Sequence, residues 1–307
     1  MECKITKKKC IFCEKTEEKF DKNNCWTEEH IIPQALGNET LKIFNVCKEC
    51  NSGLGTYVDN YFVNHMFIKL IRQKLGLKGK SGKIPNAFKE GKDKDGHLIR
   101  VDENYQPTIV PYIEKSDTHV KIVASSTVEA RLMAEKTLSR MKLPKNQIQD
   151  ALDKVDDIEF EYFQPMLQYD CTVEFNRFYL EAIKIAFEYA VYKLGDDYLK
   201  DSRAIEIQQL LKGAIDGKMK TECKNIPGVC LIYKELGKIL EATKDLNCHM
   251  LMIHPDAENR LIAEVILFME SSLSFGVLIS EDASKFYISN SSLTEIIDVK
   301  INSSLFN

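Results

Sequence analysis

The longest apolar pattern in the chain lies between residues 174 and 194. Apolar side chains supply a wide face there, as on the buried side of an α-helix, at Phe178, Ile183, Ile185, Phe187, Ala190 and Val191. Gly195 follows, and glycine commonly ends a helix. Because so much apolar surface has to be covered, the pattern predicts a core helix over 174–194.

Short runs that favour β-structure follow this helix. The runs cover 248–254, 261–268, 273–280 and 286–289. Pro-Asp, Ser-Ser and Glu-Asp-Ala-Ser turns separate one run from the next. This succession predicts an antiparallel meander packed on the long helix. Between the N-terminal region and the long helix, helical spacing is present at 127–142, and 108–125 is strand-like.

The N-terminal region has shorter elements. Residues 26–32 and 41–46 favour strands, and a helix is predicted from Cys50 onward, with Asn51 or Ser52 able to cap it. Glycine, lysine and turn-forming residues are concentrated in 76–96. The pattern therefore predicts an α+β protein in three parts. These are a small module at 1–75, a basic linker or loop at 76–100, and a larger α+β domain at 101–307 that regulates or targets the module.

Composition and charge refine this picture. No apolar run reaches the roughly eighteen residues of a membrane span, and no apolar segment follows the basic N-terminus, so we expect a cytoplasmic protein without membrane contact. Residues 1–100 contain 19 Lys and Arg against 13 Asp and Glu, whereas the rest contains 23 against 33. A polyanionic partner is therefore expected at the first hundred residues.

Two Cys-x-x-Cys pairs stand in the N-terminal module, at Cys10 and Cys13 and at Cys47 and Cys50. Thiolates three positions apart can reach one ion from a tight turn, and two such pairs complete a tetrahedral site. In so small a module, a structural Zn²⁺ supplies folding energy that a small core cannot. We therefore predict one structural zinc site rather than a disulfide framework.

Polar residues lie between and beside these pairs. The chain reads Glu29-His30-Ile31-Ile32-Pro33, then Leu36-Gly37, then Cys47-x-x-Cys50-Asn51, with Gly55 and Asp59 beyond. Together with the first cysteine pair, this arrangement over about residues 10 to 62 resembles the HNH endonucleases of the ββα-metal (His-Me finger) group, in the branch with zinc knuckles. The resemblance implies a zinc-stabilised ββα-metal module that hydrolyses phosphodiester bonds.

The resemblance also implies roles for individual residues. His30 is the expected general base, and Glu29 and Asn51 are the expected ligands of a catalytic Mg²⁺ or Mn²⁺. Glu29 stands where an aspartate is common in the family. The middle asparagine of the motif, which holds the loop that carries the base, is assigned to Asn45, with Asn38 as the alternative. Asn51 as a plain helix cap and Asp59 as a structural carboxylate are the competing interpretations.

The partners of the protein follow from these features. Nucleic acid is expected, DNA rather than RNA by family analogy, with Lys78, Lys80 and Lys83 of the basic loop on the phosphates. Bacterial defence against phage is the setting we favour. Two alternatives stay open: a zinc-knuckle binding module without catalysis, and a nuclease subunit activated by a protein or small molecule that acts on 101–307. Oligomeric state is not predicted.

Overall fold

The structure is a computed structural model, and it describes residues 8–79, 81–116, 119–141, 143–156, 166–169, 171–217, 228–231, 247–288 and 292–299. Lys80 and Ser289, which the sequence analysis singled out, lie outside the described residues. The helices are α1 (Lys48–Leu54), α2 (Asn60–Asn64), α3 (Met66–Lys74), α4 (Thr127–Arg140), α5 (Lys145–Asp156), α6 (Phe175–Leu194) and α7 (Ser202–Ile215).

The strands form four antiparallel sheets. They are β1 (Trp26–His30), β2 (Lys42–Cys47), β3 (Glu90–Lys92), β4 (Leu98–Val101), β5 (Pro107–Ile109), β6 (Tyr112–Lys115), β7 (Val120–Val123), β8 (Val229–Leu231), β9 (Cys248–Pro255), β10 (Leu261–Ile266), β11 (Ser274–Ser280) and β12 (Leu293–Asp298). The fold is α+β, as predicted, with an N-terminal HNH-like module and a larger C-terminal part that contains a meander.

The chain divides into two compact units. One consists of Met1–Pro85 with Thr172–Asn307, and the other of Asn86–Cys171. This grouping by contact differs from the division at residues 75 and 100 that the sequence suggested, and that division stays a prediction. Strand β3 and the beginning of β4 lie inside the stretch 76–100, so this part of the predicted linker has regular structure.

Helix α6 is the central element of the first unit. Fourteen consecutive positions from 178 to 191 include thirteen buried residues, and helices that are buried on every side are apolar on every side. Three charged exceptions, Glu181, Lys184 and Glu188, are themselves fully buried. The predicted core helix is therefore confirmed, and it contains charged groups that need partners inside the protein.

A five-stranded sheet packs against α6 and α7, with strand order β12-β9-β10-β11-β8. The three consecutive strands β9, β10 and β11 form the predicted meander. The strand predicted at 286–289 was wrong for residues 286–288, which belong to no strand. Besides β10, the strand β12 pairs with β9, and it lies in a stretch without a sequence signal. Its pairing depends on a sheet edge already formed by distant residues.

The HNH-like module is a hairpin of β1 and β2 followed by α1, and it shares its apolar core with α6, α7 and the sheet. Gly53 on α1 lies so close to α7 that a β-carbon there would come within 2.5 Å of the Ile215 side chain. Gln208, which also lies on α7, donates a hydrogen bond to the carbonyl of Ile11 at 2.6 Å. The module is thus held by helices from the far end of the sequence.

The helical stretch after Cys47 differs from the prediction of one helix capped by Asn51 or Ser52. Helix α1 begins at Lys48, with Cys47 at its N-cap. A π-helical turn at Gly55–Asp59 joins α1 to α2, and the extended backbone of His65 separates α2 from α3. Single π-turns widen a helix and are frequent at functional sites. Here the turn ends at Asp59.

The second unit contains the sheet β3-β4-β5, the hairpin β6-β7 and helices α4 and α5. The predicted helix at 127–142 corresponds to α4, whose first turn is capped by the side chain of Ser126. Among the described residues of both units, no helix has the length and apolar character needed to cross a membrane.

Candidate functional site

The four predicted zinc ligands come together. The sulfur atoms of Cys10, Cys13, Cys47 and Cys50 all lie within 4.8 Å of one another. The Sγ atoms of Cys13 and Cys47 are 3.7 Å apart, close to the ~3.8 Å that tetrahedral geometry gives for Zn–S bonds of about 2.3 Å. This donor set and spacing fit a structural Zn²⁺.

Local structure explains how each cysteine pair forms. Directly after Cys13 the chain turns back at Glu14, whose φ of +57° is left-handed. The Glu14 N–H donates a hydrogen bond to the Cys10 carbonyl at 2.8 Å. The Cys47 N–H points to the sulfur of Cys10 at 3.5 Å. Hydrogen bonds from Cys13 and Cys50 lower the pKa of Cys10 to about 2, and the same crowding raises the pKa of Cys13 to about 12. For all four cysteines to be thiolates at once, a cation must lie between them.

The acid-histidine pair lies at the end of strand β1. The register of β1 against β2 shifts between Thr27 and Glu29, so the strand is irregular where the pair begins. Glu28 is exposed and pairs with Lys42 at 2.8 Å, whereas Glu29 is 5% exposed. Glu29 and half-buried His30 line the same pocket. Adjacent side chains of a regular strand point to opposite faces, so the irregularity explains how both residues line one pocket.

A fully buried lysine on α6 contacts both members of the pair. The ammonium group of Lys184 lies 2.8 Å from a carboxylate oxygen of Glu29 and donates a hydrogen bond to the main-chain carbonyl of His30 at 3.1 Å. It also lies 3.4 Å from Asp59 Oδ1 and 3.5 Å from Glu188 Oε2. Helix α6 therefore fixes the position of Glu29 and the backbone of His30.

Lys184 is one amino group surrounded by four carboxyl groups. Burial alone would lower the pKa of Lys184, but the carboxyl groups of Asp59, Glu188, Glu29 and Glu181 hold it well above its ordinary value. Burial raises the pKa of Glu181 and of Glu188 well above the usual range, and the charge of Asp59 adds to the effect on Glu181. We therefore describe Lys184 as an ammonium ion and Glu181 and Glu188 as protonated glutamic acids.

Asn51 and Asp59 complete the polar side of the pocket. The side-chain amide of Asn51 donates to the main-chain carbonyl of Glu28 at 2.8 Å, which ties α1 to β1 and fixes the orientation of the amide group. Asn51 is not the cap of α1, since Cys47 has that position. Asp59, at the end of the π-turn, lines the same pocket as Glu29, His30 and Asn51. Four oxygen or nitrogen donors of ligand type thus face one cavity.

Asn38, the alternative for the middle asparagine, holds the loop that follows His30. Its amide nitrogen donates to the carbonyls of Ile32 and Leu41, and its amide oxygen accepts from the N–H groups of Thr40 and Leu41. Asn38 is fully buried. Asn45 instead lies on β2, where its main-chain carbonyl accepts from Ile11. The geometry favours Asn38 over Asn45 for the loop-holding position.

The pocket has a volume of about 1050 Å³ and contains charges of both signs. Its acidic residues are Glu28, Glu29, Glu39 and Asp59, and its basic residues are Arg72 and Lys78. Of the three lysines predicted to bind phosphates, Lys78 lines the pocket, Lys83 is exposed outside its lining, and Lys80 lies outside the described residues.

Sequence reasoning missed Lys184 and Arg72 and weighed Asp59 as structural. Lys184 stands with Glu181 and Glu188 at helical spacing inside the most apolar helix, and charges on a buried face signal a polar partner elsewhere. Nothing in the sequence names that partner, because 154 positions separate His30 from Lys184. Arg72 resembles any other basic residue in the last turn of a helix.

Comparison with known proteins agrees with this geometry. No match was found among curated proteins, and none was found among solved structures. Residues 10–67, which contain both cysteine pairs, the acid-histidine pair, Asn51 and Asp59, match the family model described as HNH endonuclease. The N-terminal module that carries the pocket is therefore an HNH endonuclease-like domain.

Proposed function

We propose that the protein is a metal-dependent endonuclease that hydrolyses phosphodiester bonds of DNA, with His30 as the general base. The observation that carries the proposal is the shared pocket of Glu29, His30, Asn51 and Asp59, inside the segment that matches the HNH endonuclease family. A neutral imidazole titrates near pH ~6.5 when unperturbed, which suits it to take a proton from water at physiological pH.

Glu29, Asn51 and Asp59 are the residues that would hold a catalytic cation. Carboxylate and amide oxygens are the donors that Mg²⁺ and Mn²⁺ prefer, and all three side chains line the pocket. Such a cation, when bound, neutralises phosphate oxygens and stabilises the departing 3′ oxygen. Lys184 on α6 contacts one carboxylate oxygen of Glu29 and the main-chain carbonyl of His30. These contacts fix the backbone of the general base before substrate binds.

DNA as the substrate and defence against phage as the setting rest on analogy with the family. The structural Zn²⁺ has a separate task in the proposal. It fixes the start of α1, and α1 carries Asn51. The structural metal thereby orients a ligand of the catalytic one.

The test is cleavage of supercoiled plasmid, linear DNA and RNA under Mg²⁺ or Mn²⁺. We expect wild type to cut DNA, and His30→Ala to cut it about 10²-fold to 10⁴-fold more slowly, the usual range for loss of a general base. His254→Ala is the matched control, because His254 pairs with Glu264 on the sheet and is absent from the pocket lining. Equal rates for His30→Ala and wild type would contradict the proposal. DNA binding without divalent cation binding would instead favour a binding module.

A further inference from the structure

Arg72 is a buried cation in the wall of the pocket. It lies in the last turn of α3, its side chain lines the pocket beside Lys78 and Gly79, and the residue is 3% exposed. Guanidinium groups stay protonated in proteins, so a full positive charge is held there with little contact to water.

The charge of Arg72 has no carboxylate partner in the described part of the chain. Burial is the single influence on its pKa, which it lowers, and no acid acts against it. Lys184, the other buried cation among the described residues of this unit, has four carboxyl groups around it. Because an unpaired buried charge is costly, an anion that enters the pocket would recover part of that cost.

A purely structural role explains only some of the N–H donors of the Arg72 side chain. The Nη1 group donates to the main-chain carbonyl of Val63 at 2.9 Å, near the break between α2 and α3. Its Nε has no hydrogen-bond partner among the described residues. A guanidinium has five N–H donors, and a neutral side chain could make the single bond to Val63. The remaining donors suit an anion with several oxygens, for which the planar fork of arginine is adapted.

The pocket contains acidic side chains that can bind a metal cation and basic side chains that can bind phosphate oxygens directly. Glu29 and Asp59 are expected on a cation, whereas Arg72 and Lys78 carry positive charge themselves. We propose that Arg72, with Lys78, forms a phosphate-binding subsite that holds a backbone phosphate of the nucleic acid in the pocket. The identity of the ligand rests on the proposed function, but the need for an anion rests on Arg72 alone.

The experiment compares Arg72→Met and Arg72→Lys with Lys74→Met. Lys74 is in the same last turn of α3, is exposed and is absent from the pocket lining, so its loss changes net charge equally. Thermal unfolding of the full chain is measured with increasing inorganic phosphate. Binding of a short single-stranded DNA is measured at several salt concentrations in a His30→Ala background, where cleavage is suppressed.

We expect phosphate to raise the Tm of the wild-type chain and of Lys74→Met, and to leave the Tm of Arg72→Met unchanged. DNA affinity should fall about ten-fold or more in Arg72→Met, with a salt slope lower by about 0.7, and less in Arg72→Lys, which keeps the charge. If Arg72→Met does not fold, a loss of affinity in Arg72→Lys without loss of Tm supports the subsite.

Two results overturn the proposal. In one, Arg72→Met and Arg72→Lys bind DNA as tightly as the His30→Ala background. In the other, phosphate raises the Tm through Arg72 while DNA binding does not depend on this residue, which means that the site takes free phosphate. Neither measurement needs cleavage. The phosphate subsite can therefore be refuted while the nuclease proposal holds, and the nuclease proposal can be refuted while the subsite holds.

Discussion

The zinc cluster and the Lys184 cluster both hold the N-terminal module, but they do so with different kinds of cation. The zinc cluster is the four cysteines, and the Lys184 cluster is Lys184 with the four carboxyl groups around it. The zinc cluster joins four cysteines that come from two short turns within residues 10–50, and a single Zn²⁺ would hold all four. The Lys184 cluster joins a strand, a π-turn and α6, and a protein side chain supplies its cation. The first joins the turns of the module, and the second attaches the proposed catalytic residues to the rest of the chain.

This difference teaches what each cluster can control. The cysteines fix β2 and the start of α1 relative to the first turn, but none of them lines the pocket that Glu29 and His30 line. Lys184 contacts Glu29 and the His30 backbone directly. We therefore expect zinc loss to abolish the fold of the module, and Lys184 loss to damage the site more than the fold.

Removal of a zinc ligand should have the largest effect. Cys50→Ser should lose cooperative unfolding of the first unit, because structural zinc contributes on the order of 10 kcal/mol to small domains. Metal analysis should fall from about one zinc per chain to none, and thermal unfolding should be measured alongside. The exposed Cys25 provides the control, as Cys25→Ser. Zinc content and a transition that survive Cys50→Ser would refute the four-thiolate site.

Lys184→Met should cost about 3–5 kcal/mol of unfolding free energy, because it removes the buried ammonium group that contacts the carboxyl groups of Glu29, Asp59 and Glu188. Lys193→Met, on the same helix but with a partly exposed pair to Glu295, should cost about 1 kcal/mol or less. Urea unfolding compares the two variants. A Lys184→Met protein as stable as Lys193→Met would show that the cluster does not hold the module.

A third long-range contact, between His249 on β9 and the loop after His30, gives a dependence on pH. The His249 Nε2–H donates to the Leu36 carbonyl, Nδ1 accepts from the Phe268 N–H, and burial lowers the pKa of His249 to about 4. The unfolded chain binds a proton near pH ~6.5, so stability from this residue is complete above that pH and is lost as the pH falls towards 4.

His249→Gln should therefore remove up to about 3 kcal/mol of the decrease in stability between pH ~6.5 and ~4. His254 is a control of opposite sign, since its hydrogen bond to Glu264 raises the pKa of His254. Stability from His254 is present below its unfolded pKa and is lost as the pH rises. Unfolding free energies of both variants across this range test the prediction, and parallel pH curves for wild type and His249→Gln would refute it.

The smallest effect separates the two candidates for the middle asparagine. Asn38→Ala removes four side-chain hydrogen bonds, three of them buried, from the loop after His30 and should cost about 2–3 kcal/mol. Asn45→Ala should cost less than about 1 kcal/mol, because the contact of Asn45 with Ile11 uses its main chain. Equal losses in urea unfolding would return Asn45 to the loop-holding position.

The two clusters also mark what the sequence could predict. Cysteines three apart and the apolar spacing of 174–194 are local signals, and both led to the observed structure. The acid-histidine pair and Asn51 were found through a family resemblance with several spaced elements. Their common pocket agrees with that prediction, whereas their chemical roles stay predictions.

The remainder depended on contacts between distant residues. Lys184 gives no sign in the sequence that Glu29 is its partner, since only the packed fold brings β1 and α6 together. The π-turn that ends at Asp59 and the break at His65 are imposed on a stretch with continuous helical spacing. Strand β12 pairs with an edge of the sheet that other segments create. Tertiary context decided each of these features.

The most direct test of the account is a double-mutant cycle on DNA cleavage with Glu29→Gln and Lys184→Met. Single-turnover cleavage rates of wild type, both single variants and the double variant are measured under Mn²⁺ at a temperature where all four are folded. If Lys184 acts by positioning Glu29, both single variants are slow and the double variant is about as slow as the slower one. Losses that multiply, or a Lys184→Met rate equal to wild type, would contradict the claim that α6 orders the site.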